Sequence, residues 1–211
     1  MKRRFARDEQ LKQLYTDFMQ EYEVLGHMSS ARPAGAAGPA DCYLPHHGVM
    51  RKGSSVKIRV VFNGSSAIPS GASLKVGPNL LPALDDVLLR WRVHRYVLAS
   101  DIEKMYRQIL VAPEDRHLQK ILWRHEDQTA SQTFELNTVT YGLACAPLLA
   151  VRSLRQLADD KEAHFPHGSA VLCRDVYVDD ILTGASSIEK AMDLQQQLTE
   201  LCTAGGFSQR K

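Results

Sequence analysis

The sequence predicts an α+β protein, an antiparallel sheet with helices packed on one face. Three observations carry this. Apolar stretches at helical spacing (Leu11 to Leu25, Leu148 to Leu157, Met192 to Leu201) interleave with short β-rich runs (Val56 to Phe62, Tyr96 to Asp101, Gln132 to Leu136). The two kinds of segment do not alternate as regular βαβ units, which disfavours a parallel sheet. Finally, Tyr177-Val-Asp-Asp180 sits between apolar runs, as two strands joined at a tight turn would.

At 211 residues the chain is long enough to bury a core, as one or two domains. Its composition, 44% hydrophobic and 24% charged, is that of an ordinary globular protein. A net charge of +2 does not announce a nucleic-acid binder, so any basic surface must come from clustering. Cys42, Cys145, Cys173 and Cys202 are widely separated without a C-x-x-C pair, which points to reduced thiols rather than a zinc site or disulfide framework. The histidines do not fall in metal-ligand spacing, and the adjacent His46-His47 pair is expected in a loop. No apolar run approaches the roughly 18 residues that span a bilayer, and the basic start Met1-Lys-Arg-Arg has none behind it. The expectation is a cytoplasmic protein with no membrane partner.

Asp8 opens the first periodic segment, with Leu11, Leu14, Tyr15, Phe18, Tyr22 and Leu25 on one face and Gly26 ending it. That stripe suits core or partner packing. Ser29 to Ala40, rich in Pro, Gly and Ala, reads as a loop or linker. From Tyr43 to Asn63 the pattern is strand, turn at Gly53-Ser-Ser55, strand. Lys57 and Arg59, two apart, share a face of the second strand, and Arg51 and Lys52 lie across the turn. Four cations there form either an anion site or a solvated strand face.

Ile68 to Gly77 reads as irregular. A helix is expected from about Pro78-Asn79 to Trp91, burying Leu81, Leu84, Leu88 and Trp91, with Pro82 in its first turn. Tyr96 to Asp101 reads as a buried strand that delivers Asp101 at its end, as a helix cap or a ligand. Ile102 to Leu110 is ambiguous between helical turn and strand. Leu118–Trp123 and Gln132–Leu136 read as a strand pair around a polar loop, His125–Ser131. Thr140 to Pro147 is a loop into a helix, with Pro147 at its first position; Gly142 suits either a close backbone approach or a plain turn. Ser186-Ser-Ile-Glu189 matches a capping box for a helix that ends at Gly205-Gly206.

The Asp179-Asp180 pair is either an exposed turn or a cation site, because adjacent carboxylates repel unless a cation shields them. Asp-Asp without Gly is also a poor hairpin-turn signal. In an antiparallel layout a strand-end Asp101 and a hairpin Asp179-Asp180 can meet. Three such carboxylates would hold two Mg²⁺ ions about 4 Å apart, an arrangement used for in-line displacement at phosphorus. The basic hairpin would then supply cations for a polyphosphate.

Tyr177-Val-Asp-Asp180 resembles the signature of retroviral and retrotransposon reverse transcriptases. Asp101-Ile-Glu-Lys-Met-Tyr106 resembles the family's first catalytic motif, Tyr141-Gly-Leu-Ala-Cys-Ala-Pro147 its loop-helix, and Lys57 to Phe62 its fingers strand. The surrounding words, including residues 77–92 and the Leu25-Gly-His27 that ends the first helix, are most similar to the BEL/Pao group of long-terminal-repeat retrotransposons. The likeness covers essentially the whole chain and implies a polymerase palm with partial fingers. Its expected division is an amphipathic helix over 1–28, a flexible linker over 29–42, a fingers-like region over 43–95 and a palm over 96–211, with part of the fingers inserted at about 112–139. No segment resembling a thumb, RNase H, protease or integrase is seen, so the chain is expected to be a fragment of a Pol polyprotein.

The resemblance implies RNA-directed DNA polymerase activity on a primed RNA or DNA template with dNTPs. Asp101, Asp179 and Asp180 would be catalytic and would ligate two Mg²⁺ ions, with Mn²⁺ as substitute and the Ile102 carbonyl as a further ligand. Arg59 would hold the triphosphate, with Lys57 or Lys52 near its γ-phosphate. Tyr106 would be a steric gate against a ribose 2′-OH; packing in the core is its plainer role. Tyr141 and Gly142 would border the nucleotide and template. Lys211, or Arg210 beside it, falls near a late basic motif whose lysine protonates pyrophosphate. Two departures stand out: Asn63 occupies a position where Asp is expected, and Tyr141 replaces the Gln of retroviral enzymes. The resemblance also implies a ribonucleoprotein or virus-like particle as the setting. A degenerate copy that only binds nucleic acid or protein, and an RNA-dependent RNA polymerase, are the alternatives; Tyr106 speaks against the second.

Overall fold

A computed structural model describes residues 2–31, 41–51, 56–64, 77–125 and 128–210. Along the chain run α1 (Lys2–Phe5), α2 (Glu9–Val24), β1 (Met28–Ser30), β2 (His46–Arg51) and β3 (Lys57–Phe62). Next come α3 (Leu84–Arg92), β4 (Tyr96–Ile102), two single 3₁₀ turns (Met105–Gln108 and Arg116–Gln119), β5 (Lys120–Trp123) and β6 (Gln132–Leu136). The last elements are α4 (Ala146–Lys161), α5 (Pro166–Arg174), β7 (Val176–Tyr177), β8 (Asp180–Ala185), α6 (Ile188–Ala204) and β9 (Gln209–Arg210). The chain forms two compact units, each assembled from two segments: 1–75 with 110–146, and 76–109 with 147–211. The stretch expected as one fingers-like region, 43–95, is divided between these two units at residue 76.

In the first unit, Asp8 caps α2 by accepting from the Leu11 N–H at 2.9 Å, and Gly26 follows the helix at φ +74°. Leu11, Tyr15, Met19 and Tyr22 are buried, while Leu25, expected on the same stripe, is exposed. α2 packs on β3, so Tyr22 approaches Phe62, and Tyr15 stacks on Trp123 at 5.4 Å between ring centroids. Two antiparallel pieces complete the unit, a three-stranded sheet ordered β1-β6-β5 and the ribbon β2-β3. Two further expectations fail here. Ser29 and Ser30 are not linker but strand, paired with Glu135 and Phe134. His46 and His47 open β2 rather than lying in a loop. The His46 ring is also fully engaged. Its Nε2–H donates to the Leu122 carbonyl at 3.0 Å, which leaves Nδ1 to accept from the Tyr15 hydroxyl. The Gly53–Ser55 turn and Lys52 lie outside the described residues. Lys120 is buried between Asp41 at 2.8 Å and Glu135 at 3.6 Å, a clip that nothing in the sequence pattern announced.

The second unit is built on one antiparallel sheet ordered β7-β8-β4-β9. Its core takes Ile102 from β4, Ile181 from β8, Leu154 from α4 and Leu194, Leu198 and Leu201 from α6. Each such side chain contributes about 1.5–3 kcal/mol by leaving water. The helix expected from Pro78 begins only at Leu84, because the Asn79 side chain accepts from the Leu81 N–H and holds a local turn before it. Its buried position is Val87; Leu84 and Leu88 are exposed. Helix α6 is capped by Ser187, whose hydroxyl accepts from the Lys190 N–H, one residue later than the expected box. Pro147 is the second rather than the first residue of α4. Among the described residues no helix is long and apolar enough to cross a membrane.

Candidate active site

The site in the second unit starts from the alternation of β4 and β8. Ile102 and Ile181 point into the core, so their neighbours Asp101 and Asp180 are turned to the opposite face. The register pairs Asp101 with Asp180, and the Ile102 N–H donates to the Asp179 carbonyl oxygen at 2.8 Å. Directly opposed residues of antiparallel strands have Cβ atoms about 4.5–5.5 Å apart. Backbone pairing alone thus brings the three acids to one end of the sheet.

The hairpin turn is not Asp179-Asp180. Tyr177 pairs with Asp180, so the two loop residues are Val178 and Asp179, and Asp180 is the first residue of β8. Val178 has φ +59°, the sign that the first loop residue of a II′ hairpin needs and that a β-branched side chain resists. Its side chain packs against the core, which helps hold that conformation.

Burial first, and then the Asp179 and Asp180 carboxylates, push the Asp101 carboxyl above its ordinary pKa; Arg210 acts in the opposite sense. Arg210 stands directly across from Asp101 in the β4–β9 pair. Lys211, expected as a general acid, lies outside the described residues. Tyr106, half-buried in the 3₁₀ turn after β4, packs against the core, and burial and the Asp179 charge raise its phenol. Of the two roles foreseen for Tyr106, its packing in the core is the one seen here.

The donors here are hard carboxylate oxygens, the chemistry that Mg²⁺ takes. Their mutual repulsion, registered at Asp101, is what a cation would relieve. Among the described residues no three His, Cys, Asp or Glu side chains are already gathered as a metal cluster. The backbone supplies the approach, and the side chains must still turn to share an ion. Ile102 contributes a fully buried side chain and a peptide lying against the hairpin tip.

The remaining residues singled out from the sequence lie in the first unit. Lys57 and Arg59 are exposed on one face of β3, and Arg51 stands opposite Lys57 in register. The Arg59 guanidinium lies 5.1 Å from the Tyr141 ring centroid, and the Tyr141 hydroxyl donates to the Val60 carbonyl. Gly142 has φ +94°, and a Cβ there would collide with the Phe62 carbonyl oxygen. Of the two meanings left open for that glycine, close backbone approach is the one realised. Sequence reasoning missed Asp175, a nearly inaccessible carboxylate at the base of the β7–β8 hairpin. The only signal was an acid placed just before an apolar strand.

The second unit is thus an antiparallel sheet with helices that presents three acids at one end. The chain belongs to the reverse transcriptase (RNA-dependent DNA polymerase) family, whose model matches residues 56–209, well over half of the sequence. No curated protein matches it. The family implies a nucleic-acid template with primer, and dNTPs, as substrates.

Proposed function

We propose that the chain is the palm and part of the fingers of an RNA-directed DNA polymerase from a BEL/Pao-type retrotransposon Pol polyprotein. The observation that carries the catalytic assignment is the shared rung of Asp101 and Asp180 with Asp179 bonded beside it. In the reaction, the primer 3′-hydroxyl attacks the α-phosphorus of a dNTP. A P–O bond forms as the α–β anhydride bond breaks and pyrophosphate leaves. Two Mg²⁺ ions, when bound, supply the charge neutralisation that this displacement needs. Asp101, Asp179 and Asp180 hold them, with the Ile102 carbonyl as a further oxygen.

Arg59 and Lys57 take the triphosphate, with Lys52 near its far end, and Tyr141 and Gly142 border the nucleotide. Tyr106 excludes a 2′-hydroxyl by occupying its space, and Lys211 serves as proton donor to pyrophosphate. Thumb, RNase H, protease and integrase segments of the same polyprotein are the expected partners, in a cytoplasmic ribonucleoprotein or virus-like particle. Extension of a DNA primer on an RNA template with Mg²⁺ and dNTPs tests this, with Asp179→Asn as control. Incorporation by the wild type and loss in the variant is expected. Equal signals from the two, or none from either, leave a remnant that only binds.

A further inference from the structure

The hairpin that carries Asp179 has a weak side. Strand β7 is two residues long and lies at the edge of its sheet, so it is paired on one side only. Its tip also holds Val178 in the left-handed region, a conformation that costs about 1–3 kcal/mol and persists only where the surroundings over-determine it. On the β4 side the Ile102–Asp179 bond supplies part of that constraint.

Asp175 supplies the rest. Its backbone N–H donates to the Val171 carbonyl at 2.8 Å, and its own carbonyl accepts from the Leu182 N–H at 2.9 Å, closing the ladder below the tip. Its carboxylate is 1% exposed and fully engaged. One oxygen accepts from Arg90 Nε at 3.0 Å and from Arg174 Nε at 3.2 Å. The other accepts from Arg174 Nη2 at 3.3 Å and from the Thr183 hydroxyl on β8 at 3.2 Å. Arg90 also donates through Nη2 to the Arg174 carbonyl at 2.7 Å. One carboxylate, on the residue that leads into β7, thus joins helix α3, the end of α5 and strand β8. A buried carboxylate with this many charge-assisted partners has one favourable position.

We infer that Asp175, held by Arg90, is a positioning residue that fixes where the hairpin tip presents Asp179. The inference rests on the polymerase reading for its kinetic consequence but not for its structural one. Without the clamp β7 slackens, the strained tip relaxes, and the Asp179 carboxylate spends less time where the reaction needs it. Misplacement of a reacting group by about 1 Å can lower turnover by roughly a hundredfold.

The test is made in the full 211-residue chain. Asp175→Asn is expected to lower kcat per titrated active site by roughly ten- to a hundredfold, with KM for dNTP within about threefold of wild type. Arg90→Gln should follow it, and Arg90→Lys, which keeps a cationic donor, should recover most of the loss. Thr183→Val removes the bond from β8 to the Asp175 carboxylate without stranding a charge, so it gives a smaller loss of the same kind even if Asp175→Asn does not fold. A purely architectural role would reduce the folded fraction and leave kcat per active site unchanged. Independently of turnover, exchange of the Ile102 amide proton should accelerate in the variants while amides in the middle of α6 stay protected. Wild-type kcat together with wild-type Ile102 exchange overturns the inference. If the wild-type chain incorporates no nucleotide, the polymerase reading fails instead, and the Ile102 exchange rate alone decides: unchanged rates overturn the clamp, faster rates uphold it.

Discussion

Asp101 and Asp180 occupy one rung of the β4–β8 ladder, two like charges directly opposed. Such pairs destabilise a sheet, and here the arrangement is fixed by main-chain pairing that the side chains cannot escape. The folded state holds the Asp101 proton more tightly than the unfolded chain does. Its contribution therefore favours folding below the carboxylate's unfolded pKa and is lost as pH rises through the raised value. Asp101→Asn is expected to match the wild type in stability at low pH and to exceed it from about pH 4 upward, by under about 1 kcal/mol for groups this open to solvent. The same substitution should abolish incorporation. Urea unfolding at several pH values checks this; a variant less stable than wild type at pH 7 contradicts it.

A cation shared by these acids should bind the folded chain alone and raise its melting temperature with concentration. At a hundredfold excess over Kd the gain is about 2.7 kcal/mol. Mg²⁺ titration followed by thermal unfolding is expected to show the rise in wild type and to lose most of it in Asp179→Asn. Identical shifts in both would place the ion elsewhere.

Tyr106 packs on the core, and its phenol is raised by burial and by the Asp179 charge. Tyr106→Ala should therefore lose some stability and, separately, relax discrimination between dNTP and rNTP by roughly ten- to a hundredfold. Single-nucleotide incorporation with each substrate measures the ratio. Unchanged discrimination would leave the ring with a packing role only.

Gly142→Ala should destabilise the first unit by about 2–4 kcal/mol, since it adds a left-handed penalty to a clash with backbone that cannot turn aside. The clash is with the Phe62 carbonyl, in the strand that also carries Arg59. Chemical denaturation reads the loss. A change within experimental error would mean that β3 shifts freely at Phe62.

Local signals in the sequence led to local structure. The Asp8 cap and the stripe through Leu11, Tyr15 and Tyr22 gave α2 almost to the residue. The apolar run from Tyr96 gave β4 and delivered Asp101 to its end. What escaped depends on distant partners or small side chains. Ser29 and Ser30 are strand because Phe134 and Glu135, a hundred residues away, offer them an edge. Helix α5 is nine residues long and buries Gly168 and Ser169 beside Val171 and Leu172, with Gly168 close against α6, which leaves no long apolar stripe to read. In α3 the leucines suggested the wrong face, since tertiary packing chose Val87. The site was legible as three acids in order. Its turn was not, because a valine with positive φ is the residue that turn statistics would place there last.

Because each compact unit is woven from two stretches of chain, neither can be excised as one uninterrupted piece. During synthesis β1 waits unpaired until β6 has left the ribosome, and β4 waits for β8. Long-separation pairings of this kind close slowly and leave apolar strands uncovered meanwhile. Chaperone supply and low temperature, more than promoter strength, should govern how much usable material a recombinant host yields.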